Sequence, residues 1–126
     1  MMWVDTAKKY LGAFCSKDLD TMESLLNDNV TMTSWSCNTD NKEETLQSHR
    51  NFFDFANHIK VRIGNVAYKN SYTCLELDMS YTVKNENSST GLKFILSSIV
   101  QIMEFNALGK ITAIRVYRMN KGETIQ

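Results

Sequence analysis

Residues 9–35 read KYLGAFCSKDLDTMESLLNDNVTMTSW, and the spacing of apolar side chains changes twice along this run. Up to Cys15 they recur at helical steps: Trp3, Ala7, Tyr10 and Phe14 form one stripe, with Val4, Leu11 and Cys15 beside it. Asp18 stands where it can cap a second, shorter helix, in which Leu19, Met22, Leu25 and Leu26 return at three- and four-residue steps. Asn27-Asp28-Asn29 ends that helix, because short polar side chains compete for the backbone hydrogen bonds a helix needs. Val30 to Trp35 then alternates apolar and polar positions and uses β-favouring residues, which predicts a short strand.

Downstream the same reading gives a polar loop over residues 36–41 and a third helix from about Lys42 to Asn57, capped by Asp40 or Asn41. Leu46, His49, Phe53 and Ala56 share its apolar stripe. The period then falls to two. Ile59, Val61 and Ile63 alternate with Lys60 and Arg62, Gly64-Asn65 predicts a bulge or bend, and Lys69-Asn70 a tight turn. Tyr72 to Lys84 alternates again, with Leu75, Leu77, Met79, Tyr81 and Val83 on one face. After the turn-rich Asn85–Gly91 stretch, Leu92 to Phe105 is apolar on both faces, as a central strand must be. Asn106–Gly109 closes a hairpin and Lys110 to Met119 returns as the last strand. Short turns force antiparallel pairing, and helices gathered on one face of such a sheet define an α+β domain. The expectation is a single domain over residues 1–126: a cone-shaped, curved antiparallel sheet wrapped around three helices, with a pocket between them.

Composition narrows the function. The chain has 126 residues, of which 43% are hydrophobic, and its formal net charge is +0. Phosphate-gripping proteins carry a basic surplus, so nucleic acid is not an expected partner. No run approaches the roughly 20 apolar residues of a membrane span, and the charges mixed into the first residues do not form a signal-peptide layout. Three scattered cysteines, Cys15, Cys37 and Cys74, suit a reducing compartment, so a cytoplasmic location is expected. Two histidines nine positions apart, with those cysteines, give no metal-ligand spacing, and glycines at 12, 64, 91, 109 and 122 give no phosphate loop. Neither a metal nor an organic cofactor is expected.

The order of elements, the Lys17-Asp18-Leu19-Asp20 … Leu25-Leu26-Asn27-Asp28-Asn29-Val30-Thr31 passage and the closing FNALGKITAIRVYR hairpin resemble the nuclear transport factor 2-like superfamily. Within it the chain is most similar to the SnoaL-like and ketosteroid isomerase-like branch. The resemblance spans about residues 3–119 and implies a conical pocket. Its members include isomerases, cyclases, dehydratases and inert assembly domains, so the fold does not choose an activity. In ketosteroid isomerase an aspartate base works with a tyrosine and a protonated aspartic acid that hold an oxyanion. The resemblance puts Tyr10 at the tyrosine's place and Gln101 at the acid's, where an amide donates a hydrogen bond without a shifted pKa. The base position falls on Ser34, between Thr33 and Trp35. None of these takes a proton near neutral pH, so steroid-isomerase chemistry is not expected.

The candidate site residues follow. Tyr10 is either a pocket donor or a core tyrosine with a satisfied hydroxyl. His49 is either a core imidazole, or a solvated one, or the group that moves protons, given its ordinary pKa near 6.5. Gln101 shares a strand face with Ser97, Ile99, Met103 and Phe105, and needs a partner from the protein or a ligand. Phe14, Ser34, Trp35, Phe53, Ile99, Met103 and Ile114 complete the expected substrate-binding wall. Thr112, Ile114, Val116 and Arg118 share a face that the resemblance turns inward; Arg118 either clamps an acid group at the cavity mouth, pairs with a rim carboxylate or points to solvent. Glu76 and Asp78 lie opposite the apolar row of their strand, on a solvated or interface face. On the second face of the sheet, Leu92, Phe94, Leu96, Val100 and Ile102 with Ala113, Arg115 and Tyr117 call for a homodimer, since helices cover only one side and relatives commonly pair sheet to sheet. Three functions fit: a cofactor-free isomerase, cyclase or dehydratase acting on a small, partly apolar carbonyl or carboxylate compound; a small-ligand binding protein; or a protein-interaction domain.

Overall fold

The computed structural model describes residues 2–119 and 123–125. Helices α1 (Met2–Cys15) and α2 (Leu19–Leu25) lead into strands β1 (Leu26–Thr33) and β2 (Asn38–Thr39), then helix α3 (Lys42–Phe53). Strands β3 (Asn57–Lys69), β4 (Tyr72–Lys84), β5 (Leu92–Phe105), β6 (Ile111–Arg118) and β7 (Glu123–Ile125) follow. They form one sheet in the order β2-β1-β6-β5-β4-β3, with β7 added to β5. Three helices stand with a curved sheet, as the sequence predicts, and β5 has the predicted limits and the central place.

The sheet is mixed, which is one departure from the antiparallel expectation. The pairs from β3 to β6 are antiparallel, but β1 runs parallel to β6, with Met32 opposite Ile114. Short turns dictate antiparallel pairing only between strands adjacent in sequence, and β1 meets β6 from the far end of the chain. That pairing also explains why β1 starts at Leu26. Asn27-Asp28-Asn29 does stop the helix, but it lies within the strand at a register irregularity between Leu26 and Thr31. The short strands β2 and β7 carry no periodic signal and were not anticipated.

The irregularity predicted at Gly64-Asn65 is present between Ile63 and Val66, where a Cβ on Gly64 would stand 3.3 Å from the Glu76 carbonyl oxygen. A further shift, between Glu104 and Phe105, makes Thr112 the unpaired residue of β6. Ile111, Ile114 and Val116 therefore face inward, and Thr112 leaves the inward row expected of it and bonds the Glu104 carbonyl.

Helix α3 carries His49, so its ends matter to the site. Asn41 Oδ1 accepts from the Glu44 N–H at 2.9 Å, and Glu44 Oε1 accepts from the Asp40 N–H at 2.9 Å, a reciprocal cap. Thr45 Oγ1 bonds both the Asn41 carbonyl and Thr39 Oγ1, tying this cap to β2. The helix ends at Phe53 rather than Asn57, because the Phe55 and Ala56 N–H groups both turn back to the Phe52 carbonyl before β3 begins. Asn41→Ala should lower the unfolding free energy by about 1 kcal/mol, the usual effect of losing an N-cap side chain. Urea titration of the variant checks this.

Candidate functional site

Helices α1 and α3 cross the concave face of β4, β5 and β6 and leave a cavity of about 160 Å³. Tyr10, Leu11 and Phe14 line it from α1, and Ser48, His49 and Phe52 from α3. The sheet contributes Leu77 and Met79 of β4, Ile99 and Gln101 of β5, and Ile114 and Val116 of β6. Met32 and the loop from Ser34 to Cys37 close the remaining side. None of the lining residues carries a fixed charge.

Tyr10 and His49 meet across this space. Both are buried, and Tyr10 Oη and His49 Nε2 share a hydrogen bond of 2.6 Å. The edge of Phe14 stands against the imidazole, with ring centroids 5.5 Å apart. Burial lowers the His49 pKa to about 4 and raises the Tyr10 hydroxyl above its ordinary value, so both groups are neutral at pH 7. A neutral tyrosine and a neutral imidazole hold two protons and use one between them. The other, on Nδ1 or on Oη according to the tautomer, has no partner among the described residues. Gln101 is 7% exposed, lines the same space, and its amide likewise makes no hydrogen bond among the described residues. Its amide faces the open space, where a guest or water can meet it. The buried side-chain polar atom without a partner among the described residues is Thr73 Oγ1.

Ser34, which the resemblance sets at the base position, spends its hydroxyl on its own loop. Its Oγ accepts from the Cys37 N–H at 3.1 Å and donates to the Cys37 carbonyl at 3.2 Å. Cys37 and Ser48, neither of them expected at the site, line the cavity with Sγ and Oγ 3.3 Å apart. Their signal was present for Ser48, which precedes His49 on the helix; a loop cysteine carries none.

Three expected wall residues stand elsewhere. Phe53 does not reach the cavity. The open side of α3 follows Ser48, His49 and Phe52; Phe53, one turn after His49 and about 40° beyond it, stacks on His49 and packs on Phe14 at 5.2 Å. Met103 is fully buried in the core, two positions beyond Gln101 and past the end of the open space. Arg118 does not line the cavity either. It is exposed at the end of β6, with its guanidinium carbon 4.8 Å above the Trp35 ring, which is itself 46% exposed. Glu76 and Asp78 stand on the outer face, bonded to Asn65 and to Arg62 and Ser98 respectively. Among the described residues no group of histidine, cysteine and acidic side chains could hold a metal ion. No helix among them is long and apolar enough to cross a membrane.

No family model matches the sequence, and no curated protein matches it. Solved structures do. A LEH-like epoxide hydrolase of M. tuberculosis superposes with TM-score 0.78 at 16% identity, over 93% of this chain and 82% of that one. A protein of Shewanella denitrificans OS-217, named for its likeness to the SnoaL-like polyketide cyclases, gives TM-score 0.82 at 10% identity over 92% and 89%. A nuclear transport factor 2-like protein of unknown function from Burkholderia pseudomallei K96243 gives 0.78 at 12% over 94% and 91%. The chain thus has the α+β cone fold of the nuclear transport factor 2-like superfamily, with SnoaL-like and ketosteroid isomerase-like proteins among its structural neighbours.

The depressed His49 pKa makes a signed prediction. The unfolded chain takes up the imidazole proton near pH 6.5 and the folded chain only near 4, so acid favours unfolding across that window. Stability should be full above pH 6.5 and fall by roughly 3 kcal/mol towards pH 4. Asp78 and Glu104 are held below their ordinary values, first by hydrogen bonds from Ser98 and Arg115 respectively. Their stabilisation is also lost as pH falls, so the His49 part is read as the difference between parent and variant. Denaturant midpoints measured against pH should show this fall in the parent chain and lose it in His49→Gln.

Proposed function

We propose that the cavity binds one small, largely apolar molecule through an acceptor oxygen, and that the Tyr10–His49 pair moves a proton on it without a cofactor. The observation that carries this is that one apolar cavity is lined by hydrogen-bonding groups with no partner among the described residues, the Gln101 amide and the spare donor of the Tyr10–His49 pair. Such donors, fixed before the guest arrives, polarise a carbonyl or epoxide oxygen and stabilise charge that develops on it. About 160 Å³ suits a single ring, since a cavity of roughly 150 Å³ holds benzene. A fused steroid exceeds it. Isomerisation, cyclisation and dehydration of small carbonyl compounds are the reactions this set of groups serves; the names of two structural neighbours, an epoxide hydrolase and a cyclase-like protein, lie in the same region of chemistry.

A second reading, binding without turnover, is favoured by the absence of a carboxylate from the lining and by the weak basicity of His49. Cyclohexanone fits the cavity and separates the two. Under the first reading its α-hydrogens exchange with D₂O faster in the presence of the protein, and His49→Gln abolishes the acceleration. Binding with no acceleration selects the second. Gln101→Leu tests the cavity itself. It replaces an amide that faces the open cavity with an apolar side chain of similar size, so the melting temperature should be held or raised by about 1–2 °C while cyclohexanone binding weakens. A loss of stability would make Gln101 an ordinary core residue.

The outer face supports a homodimer. Phe94, Leu96, Val100 and Ile102 stay half-buried there, Tyr117 is exposed, and all three helices lie on the opposite side. The patch is flanked by the Arg62–Asp78 and Arg115–Glu104 pairs, equal numbers of acids and bases that a two-fold axis can match. We place the protein in a reducing, cytoplasmic setting, where its three free cysteines stay reduced. Val100→Glu should convert a dimer to a monomer in light scattering, with the cavity unaffected; a parent chain that is monomeric at micromolar concentration rules the dimer out.

A further inference from the structure

Charge is sorted across the sheet. Within β3 to β6 the carboxylates Glu76, Asp78 and Glu104 all stand on the outer face, each with a hydrogen-bonding partner. Arg118 stands on the other face. Its strand neighbour is Ile99, which lines the cavity, and its ring partner Trp35 lines the cavity as well. The ion pairs among the described residues are Lys42–Asp28, Arg62–Asp78 and Arg115–Glu104, and Arg118 takes part in none. A permanent cation thus stands beside the Trp35 rim of a pocket whose interior is neutral, with no carboxylate paired to it among the described residues.

Position adds a length. Gln101 pairs with Val116 and Ile99 with Arg118, so the interior amide and the mouth cation are two residues apart along the strands, about 7 Å at the backbone. That is the span of one six-membered ring with a short arm. The exposed guanidinium keeps water contact and pays little desolvation, yet remains free to pair with an incoming anion.

Building on the cavity reading proposed above, we infer that the guest is an amphipathic organic anion: a single apolar ring inside, an oxygen toward Tyr10, His49 and Gln101, and a carboxylate at the mouth against Arg118. A cation or zwitterion is disfavoured at that mouth, and a dianion would strand charge in the neutral interior. The Trp35 ring holds the guanidinium over the opening by a cation–π contact.

Calorimetric titration with 3-(4-hydroxyphenyl)propanoate and its neutral carboxamide tests the assignment. The carboxylate should bind the parent chain about 5- to 10-fold more tightly than the amide, the discount for an exposed charge included. Arg118→Met should remove that preference by weakening the carboxylate alone. Gln101→Leu should weaken both ligands alike. Equal affinities in the parent chain, or equal losses for both ligands in Arg118→Met, overturn the anion assignment and leave the cavity reading standing. Binding of both ligands undiminished in Gln101→Leu overturns the cavity reading itself.

Discussion

A long strand cannot be covered by a short helix, and this mismatch governs the molecule. Strand β5 has 14 residues and helix α1 also has 14, but a strand rises about 3.3 Å per residue and a helix 1.5 Å, so the strand is roughly twice as long. With all three helices on one face, part of the concave surface must stay open. Where the helices do reach, Met22, Leu26, Val30, Leu75, Met103 and Ile111 fill the core completely. Where they end, the same strands line the cavity. Core and pocket are one surface, divided by the length of the helices.

The open region keeps its shape because it is bridged by polar and aromatic groups rather than filled by aliphatic ones. Tyr10 and His49, 39 positions apart in the chain, join α1 to α3 through one buried hydrogen bond. Phe14, Phe52, Phe53 and His49 pack their rings around it. A hydrogen bond between two neutral groups in an apolar place is strong, and it leaves a spare donor because the pair contains more protons than the bond consumes. The feature that holds the helices apart is thereby also the feature that offers chemistry to a guest.

Charge follows the same division. Acidic side chains of the central strands stay on the convex face, each bonded to a neighbour, and the concave face is neutral until the end of β6. Ser34, which the resemblance sets at the place of the ketosteroid isomerase base, has its hydroxyl committed to its own loop. The cavity lining holds no carboxylate among the described residues, and its one titratable imidazole, His49, is neutral at pH 7.

The sequence by itself determined the elements and the faces. Apolar periods of 3.6 and 2 located the three helices and the four long strands, because a side chain's direction follows from local backbone geometry. The inward row of β5, the cap of α3 and the irregularity at Gly64 were legible for the same reason, and so were Tyr10, Phe14 and His49 on inward helical stripes. Tertiary structure alone decided what a face meets. The parallel contact of β1 with β6, the strands β2 and β7, and the thiol of Cys37 at the cavity wall arise from segments distant in sequence. Phe53 and Met103 lie on inward faces and still miss the cavity, because a period reports direction but not how far the covering helix extends. Arg118, read in sequence as clamp, rim partner or solvated end, came to rest on Trp35, a contact between a loop and a strand that no local pattern encodes.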